Sequence, residues 1–126
     1  MKVLLVDDDE FILDLYERDL KLDKHESKKA HDGLEALEVM NKTRFIPDVI
    51  ILDLKMPRMD GFGFLANIKA GEKFKKIPVI ILTNQFARES REKALDMGAS
   101  VYLIKSEHNP EEVIKQAASL VNIWKF

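Results

Sequence analysis

Short, unbroken apolar runs alternate with amphipathic stretches along the whole chain. Val3-Leu4-Leu5-Val6, Val49-Ile50-Ile51-Leu52, Val79-Ile80-Ile81-Leu82 and Val101-Tyr102-Leu103-Ile104 are apolar at every position. A strand with one wet face alternates apolar and polar residues, so runs of this kind read as strands buried on both faces. Between them the apolar spacing becomes helical. It passes through Phe11, Ile12, Leu15, Tyr16 and Leu20, then Leu37 and Met40, then Phe62, Phe64, Leu65 and Ile68. Ala94, Leu95 and Met97 mark a fourth helix, and Val113, Ile114, Ala117, Leu120, Val121 and Trp124 a fifth.

The helix ends carry their own signals. An aspartate of Asp7-Asp8-Asp9 fits as the first N-cap, and Asp32 with Glu35 fits a capping box at the second. Gly98 is placed to stop the fourth helix in the left-handed region. Asn109-Pro110-Glu111-Glu112 opens the fifth with a cap, a proline at the first helical position and acids in the first turn. One strand is poorly marked. The rhythm requires it near His25 to Ala30, where the chain is polar and lysine-rich. That composition suits a sheet edge, where lysines discourage pairing with other chains.

Strands alternating with helices predict an α/β fold, a parallel sheet covered on both faces and wound in both directions. Working sites in such sheets lie at the carboxyl ends of the strands. Here those ends carry Asp7-Asp8-Asp9, Asp53, Thr83 and Lys105. One acid at a strand end is ordinary turn chemistry. Acids on two strands, a hydroxyl on a third and an ammonium on a fourth form a far more specific set. Two carboxylates held close resist joint ionisation, and a hard divalent cation such as Mg²⁺ relieves this. The metal and Lys105 would together attract a phosphoryl group, with Thr83 as a hydrogen-bond donor and Asp53 as the nucleophile.

Composition narrows the setting. The chain has 126 residues, 46% hydrophobic and 33% charged, enough for one domain with a real core. A net charge of −2 implies no general affinity for nucleic acid or an anionic membrane. Without cysteine there is neither a disulfide nor a thiolate metal site. The apolar run Val3–Val6 is too short for a signal sequence or a membrane span, so a cytoplasmic protein is expected.

Val6-Asp7-Asp8-Asp9-Glu10, Asp53-Leu54-Lys55-Met56-Pro57-Arg58-Met59-Asp60-Gly61, Val79-Ile80-Ile81-Leu82-Thr83, Gly98-Ala99 and Tyr102-Leu103-Ile104-Lys105 together resemble the receiver domain of two-component response regulators, as in single-domain chemotaxis regulators. The intervals from Asp53 to Thr83 and from Thr83 to Lys105 agree with that family. The resemblance covers nearly the whole chain and implies a flavodoxin-like sandwich of five parallel strands in the order 2-1-3-4-5. It implies one receiver domain over residues 1–126 with no output domain, acting in signal transduction through a phosphorelay and not as an enzyme of metabolism. Asp53 would accept a phosphoryl group from a phosphohistidine on a sensor histidine kinase or phosphotransfer protein. Asp8, Asp53 and the carbonyl of Lys55 would ligate Mg²⁺, with Asp7 acting through water. Lys105 would contact the phosphoryl group, Thr83 would move to hydrogen-bond it, and Tyr102 would turn inward behind Thr83. The switch would be read by a protein target on the face of the fourth helix, last strand and last helix, or the phosphoryl group would be passed on. Lys55 and Gln85 occupy positions that tune phosphoryl lifetime.

The chain departs from the family in two places. After the site lysine the family usually has a proline in a cis peptide, and here stands Ser106. A non-proline cis bond costs about 2.5–4 kcal/mol, so a trans bond is expected. After Thr83 the family has a small residue, and here Asn84 can narrow the site mouth. Asp9 and Glu10 read as helix-start residues, Asp60 as a turn residue, and Trp124 and Phe126 as packing. His25, His31 and His108 share no metal-ligand spacing. A phosphatase of the haloacid dehalogenase class also uses Asp, Thr and Lys, but it needs further acids beyond the lysine and usually a cap domain. A flavodoxin needs a Ser/Thr/Gly-rich phosphate loop where this chain has acids.

Overall fold

The computed structural model describes the backbone of residues 1–125 and the side chains of residues 1–122. The readings for Trp124 and Phe126 fall outside the described side chains. Five strands, β1 (Lys2–Val6), β2 (Glu26–Ala30), β3 (Val49–Leu52), β4 (Val79–Thr83) and β5 (Val101–Ile104), form one parallel sheet in the order β2-β1-β3-β4-β5. The helices are α1 (Glu10–Leu22), α2 (Gly33–Lys42), α3 (Gly61–Ala70), α4 (Arg88–Asp96) and α5 (Pro110–Lys125).

The unbroken apolar strands are explained by two cores. Val3, Leu5, Ile51, Ile80 and Leu82 face α1 and α5, meeting Leu13, Tyr16, Leu20, Val113 and Ala117. Their neighbours Leu4, Val6, Ile50, Leu52 and Ile81 face α2, α3 and α4, meeting Ala36, Met40, Phe64, Ile68 and Ala94. Successive side chains of a strand point to opposite faces, so both sets must be apolar when both faces are covered. β2 differs because it is an edge: only Ala30 of it is buried. Its lysines point to opposite sides. Lys29 reaches the acids of α1, and Lys28 lies over the Phe45 ring.

The caps follow the sequence with one adjustment. Asp9 accepts the Phe11 N–H, and Asn109 accepts the Glu112 N–H. Asp32 accepts the Glu35 N–H, but the returning arm of the box lands one residue earlier, on the His31 N–H. On α1 the buried stripe is Leu13, Tyr16 and Leu20, and Phe11 is 72% exposed. The expected inward Phe11 is corrected by helix geometry: it stands two residues from Leu13, roughly the opposite side of the cylinder. Gly98 follows α4 at φ 108°, as its stop position requires. A short 3₁₀ turn, Lys105–Glu107, occupies the place where the family carries its proline. Among the described residues every peptide bond is trans, as expected at Lys105–Ser106. Within the same residues, no helix is long and apolar enough to cross a membrane.

Candidate functional site

Strand order reverses between β1 and β3, and both strands end in acids. The sheet ladder continues into them. The Asp7 N–H donates to the Ala30 carbonyl (3.0 Å) and the Asp53 N–H to the Val6 carbonyl (2.9 Å). These bonds fix both backbones, so the side chains leave the sheet at its carboxyl edge side by side.

Asp7 and Asp53 are 4% and 6% exposed. Lys105 bridges them, with Nζ 2.7 Å from Asp7 Oδ2 and 3.0 Å from Asp53 Oδ2. The remaining oxygens are held by main-chain donors: Asp9 N–H to Asp7 Oδ1 (2.9 Å) and Leu54 N–H to Asp53 Oδ1 (2.7 Å). Burial pushes the Asp7 carboxyl above its ordinary range, against the opposing pull of Lys105. Burial also works against the Lys105 ammonium, but Asp7 and Asp53 outweigh it and raise its pKa. The two carboxylates thus sustain the Lys105 charge, while Lys105 only partly offsets the cost of burying Asp7.

Asp8 stands exposed beside this pair. Asp7, Asp8 and Asp53 each offer a carboxylate oxygen within 4.8 Å of the others. Asp8, Asp53, Lys55, Thr83, Asn84, Gln85 and Lys105 line one open cleft of about 450 Å³. Thr83, 1% exposed, accepts the Gln85 N–H through Oγ1 at 3.3 Å. Tyr102 is already inward in this state, 7% exposed, its hydroxyl donating to the Gln85 carbonyl at 2.9 Å. Thr83 and Tyr102 therefore both grip the start of the β4–α4 loop. The fold thus brings Asp7, Asp8, Asp53, Lys55, Thr83, Gln85 and Lys105 to one edge. Tyr102 sits behind them.

Asp60 serves as the N-cap of α3, accepting the Gly63 N–H at 2.8 Å. His25 contacts the N-terminal amine, His31 lies between Glu10 and Glu35, and His108 meets Glu112. Sequence reasoning missed the function of Gly61. A Cβ there would lie 2.3 Å from the Asp53 carbonyl oxygen and 2.8 Å from Leu54 Cα. The Gly61 N–H donates to the Leu54 carbonyl at 2.9 Å. The helix start thus presses directly on the backbone of Asp53. The Asp-Gly pair at a helix start was the available signal, but it also reads as a plain turn.

The chain is similar to known proteins along nearly its full length. It is 37% identical over 118 residues to a gliding motility regulatory protein of Myxococcus xanthus, covering 93% of this chain and 15% of that protein. The chain thus spans a small part of that relative. The chemotaxis protein CheY4 of Vibrio cholerae superposes with a TM-score of 0.84 at 35% identity, covering 94% of this chain and 97% of that one. The Mn²⁺-bound form of response regulator Rcp1 superposes with a TM-score of 0.78 at 29% identity, over 98% and 93% of the two chains. Residues 3–118 match the response regulator receiver domain. With the 2-1-3-4-5 sheet and the acids at its reversal point, this match shows that the chain belongs to the response regulator receiver domain family, a family of signalling domains.

Proposed function

We propose that Asp53 accepts a phosphoryl group from a phosphohistidine on a sensor histidine kinase or phosphotransfer protein, with Mg²⁺ as cofactor. One observation carries the reading: four strand ends deliver two acids, a hydroxyl and an ammonium to a single open cleft. The donor set fits Mg²⁺, being all hard oxygen and open enough to retain water. Asp8, Asp53 and the Lys55 carbonyl would hold it, with Asp7 acting through water. When bound, the ion offsets carboxylate repulsion and draws phosphoryl oxygens towards Asp53.

The chain's own residues do the rest. A carboxylate oxygen of Asp53 forms the new P–O bond as the P–N bond to the donor imidazole breaks, and the electron pair of that bond stays on the imidazole nitrogen. Lys105 turns from the two carboxylates to the phosphoryl oxygens. The Thr83 hydroxyl gives up the Gln85 N–H and donates to the same group. Since Tyr102 holds the Gln85 carbonyl, movement of Thr83 is felt by the loop that leads into α4. The face of α4, β5 and α5 is thereby offered to a protein target in two states, or the phosphoryl group is passed on. Lys55 and Gln85, on the cleft wall, set the lifetime of the phosphorylated state, which the domain itself helps to form and to hydrolyse. The setting is the cytoplasm, with neither nucleic acid nor membrane bound directly.

The test is incubation with Mg²⁺ and acetyl phosphate, followed by intact mass. A single adduct of about 80 Da is expected, the mass of one phosphoryl group on an aspartate. Asp53→Asn should remain folded and take up none. Continuous release of phosphate, or unchanged labelling of the Asn variant, would overturn the assignment.

A further inference from the structure

The loop between β3 and α3 supplies the Lys55 carbonyl to the proposed metal site, so its backbone must be held. Leu54 and Met56 anchor its near end in the core, flanking the exposed Lys55. Its far half, Pro57 to Asp60, is exposed apart from Met59, which is partly buried and packs against the same core. That half is also fastened sideways to the start of α2. Arg58 grips Asp32 at two points, Nε to Oδ2 at 2.7 Å and its second nitrogen to Oδ1 at 3.1 Å. The next residue adds a main-chain bond, Gly33 N–H to the Met59 carbonyl at 2.9 Å. The Asp32 side chain is only 7% exposed, and the Arg58 guanidinium holds its carboxyl below the usual range. Arg58 itself sits at φ 61°. That conformation is unfavourable for a residue with a side chain and natural for glycine. Turn chemistry alone therefore does not favour arginine here, whereas a two-point fork onto a buried carboxylate does.

We propose that Arg58 and Asp32 are positioning residues for the metal site, a latch between α2 and the β3–α3 loop that fixes the direction of the Lys55 carbonyl. This rests on the reading above, in which that carbonyl is a metal ligand. Neither residue touches the cleft, so the latch acts through the backbone of residues 55–58.

Mg²⁺ titrated calorimetrically into the parent protein, Arg58→Gly and Asp32→Asn tests it. Glycine removes the fork and releases the left-handed backbone. Asparagine weakens the fork and keeps the helix cap, since Asn caps as well as Asp. The two changes alter charge in opposite directions. By charge alone, losing Arg58 would strengthen cation binding and losing Asp32 would weaken it. A latch makes both weaken it, by about tenfold, the low end for outer-shell partners of a metal ligand. The melting temperature in EDTA should fall only modestly, because the fork itself adds some stability, and every variant should stay folded at the titration temperature. Arg58→Lys should bind Mg²⁺ between the parent and Arg58→Gly, because an ammonium cannot make the planar fork. Arg58→Gly binding Mg²⁺ as tightly as the parent or more tightly overturns the latch. So does weaker binding that merely follows unfolding at the titration temperature. A parent protein that binds no Mg²⁺ overturns the underlying reading and the latch together, an outcome visible before any variant is made.

Discussion

Two lysines, one on the edge strand and one just past β5, each face several carboxylates, and they are opposites. Lys29, on the edge strand, lies 3.1 Å from Asp14, 3.5 Å from Glu17 and 3.7 Å from Glu10. Those acids form an outward stripe on α1 and are 43–60% exposed. Among the described residues Lys105 has two carboxylate partners, and they are 6% and 8% exposed. Around Lys29 water solvates every group and screens every pair, so three contacts hold little energy. Lys105 and its two carboxylates are largely withdrawn from water at the wall of an open cleft, and removing any member strands a charge. The number of ion pairs does not identify a working site. What does is how poorly each member would fare alone.

The comparison can be broken most directly by deleting each cation. Lys105→Met should destabilise the fold by about 2–3 kcal/mol in Mg²⁺-free buffer, somewhat below the figure for a fully enclosed pair because the cleft is open. Urea denaturation would measure it, and a loss no greater than that of Lys29→Met would remove the distinction. Metal should sharpen it. Mg²⁺ at ten times its Kd should stabilise the parent by about 1.4 kcal/mol. Asp8→Ala should abolish that response, whereas Asp14→Ala in the surface stripe should leave it intact, as thermal melts with and without the ion would show. Lys29→Met should barely move the melting temperature, and added salt should shrink even that.

The smallest effect concerns His31, which shares Glu10 with Lys29. Glu10 first, then Glu35, raises its pKa from the usual 6.5. Protonated His31 is thus favoured in the folded state. Its contribution is complete below about pH 6.5 and is lost as pH rises through the raised value. His31→Gln should flatten this slight fall in stability as pH rises from about 6.5. Melting curves across that range would test it, and an unchanged slope would contradict it.

Much of this was legible in the chain. The unbroken apolar runs announced a two-sided sheet, and the residue after each run announced the site. Asp7, Asp53 and Lys105 could be found because a strand end is a one-dimensional landmark. Asp32 and Arg58 could not, because their contact depends on a backbone at φ 61° that neither propensity nor periodicity encodes. Gly61 was visible as a turn residue, but its approach to Asp53 is a fact of three dimensions. Phe11 was misassigned because several apolar residues crowd one short helix start, and periodicity alone does not choose the stripe. The polar β2 was inferred from the rhythm of its neighbours, and its lysines are satisfied by partners outside the strand.

The bond from the Asp53 N–H to the Val6 carbonyl also has a kinetic meaning. The two acidic strand ends meet only when β1 and β3 have joined in their final register, across the intervening α1, β2 and α2. Closing so long a loop costs entropy that the strand pairing offsets only once it is complete. Before it closes, the chain has no paired carboxylates for a cation to join. Mg²⁺ would therefore leave the refolding arm of a chevron nearly untouched and lower the unfolding arm, so that the ion acts as a brake on escape from the native state and not as a guide towards it.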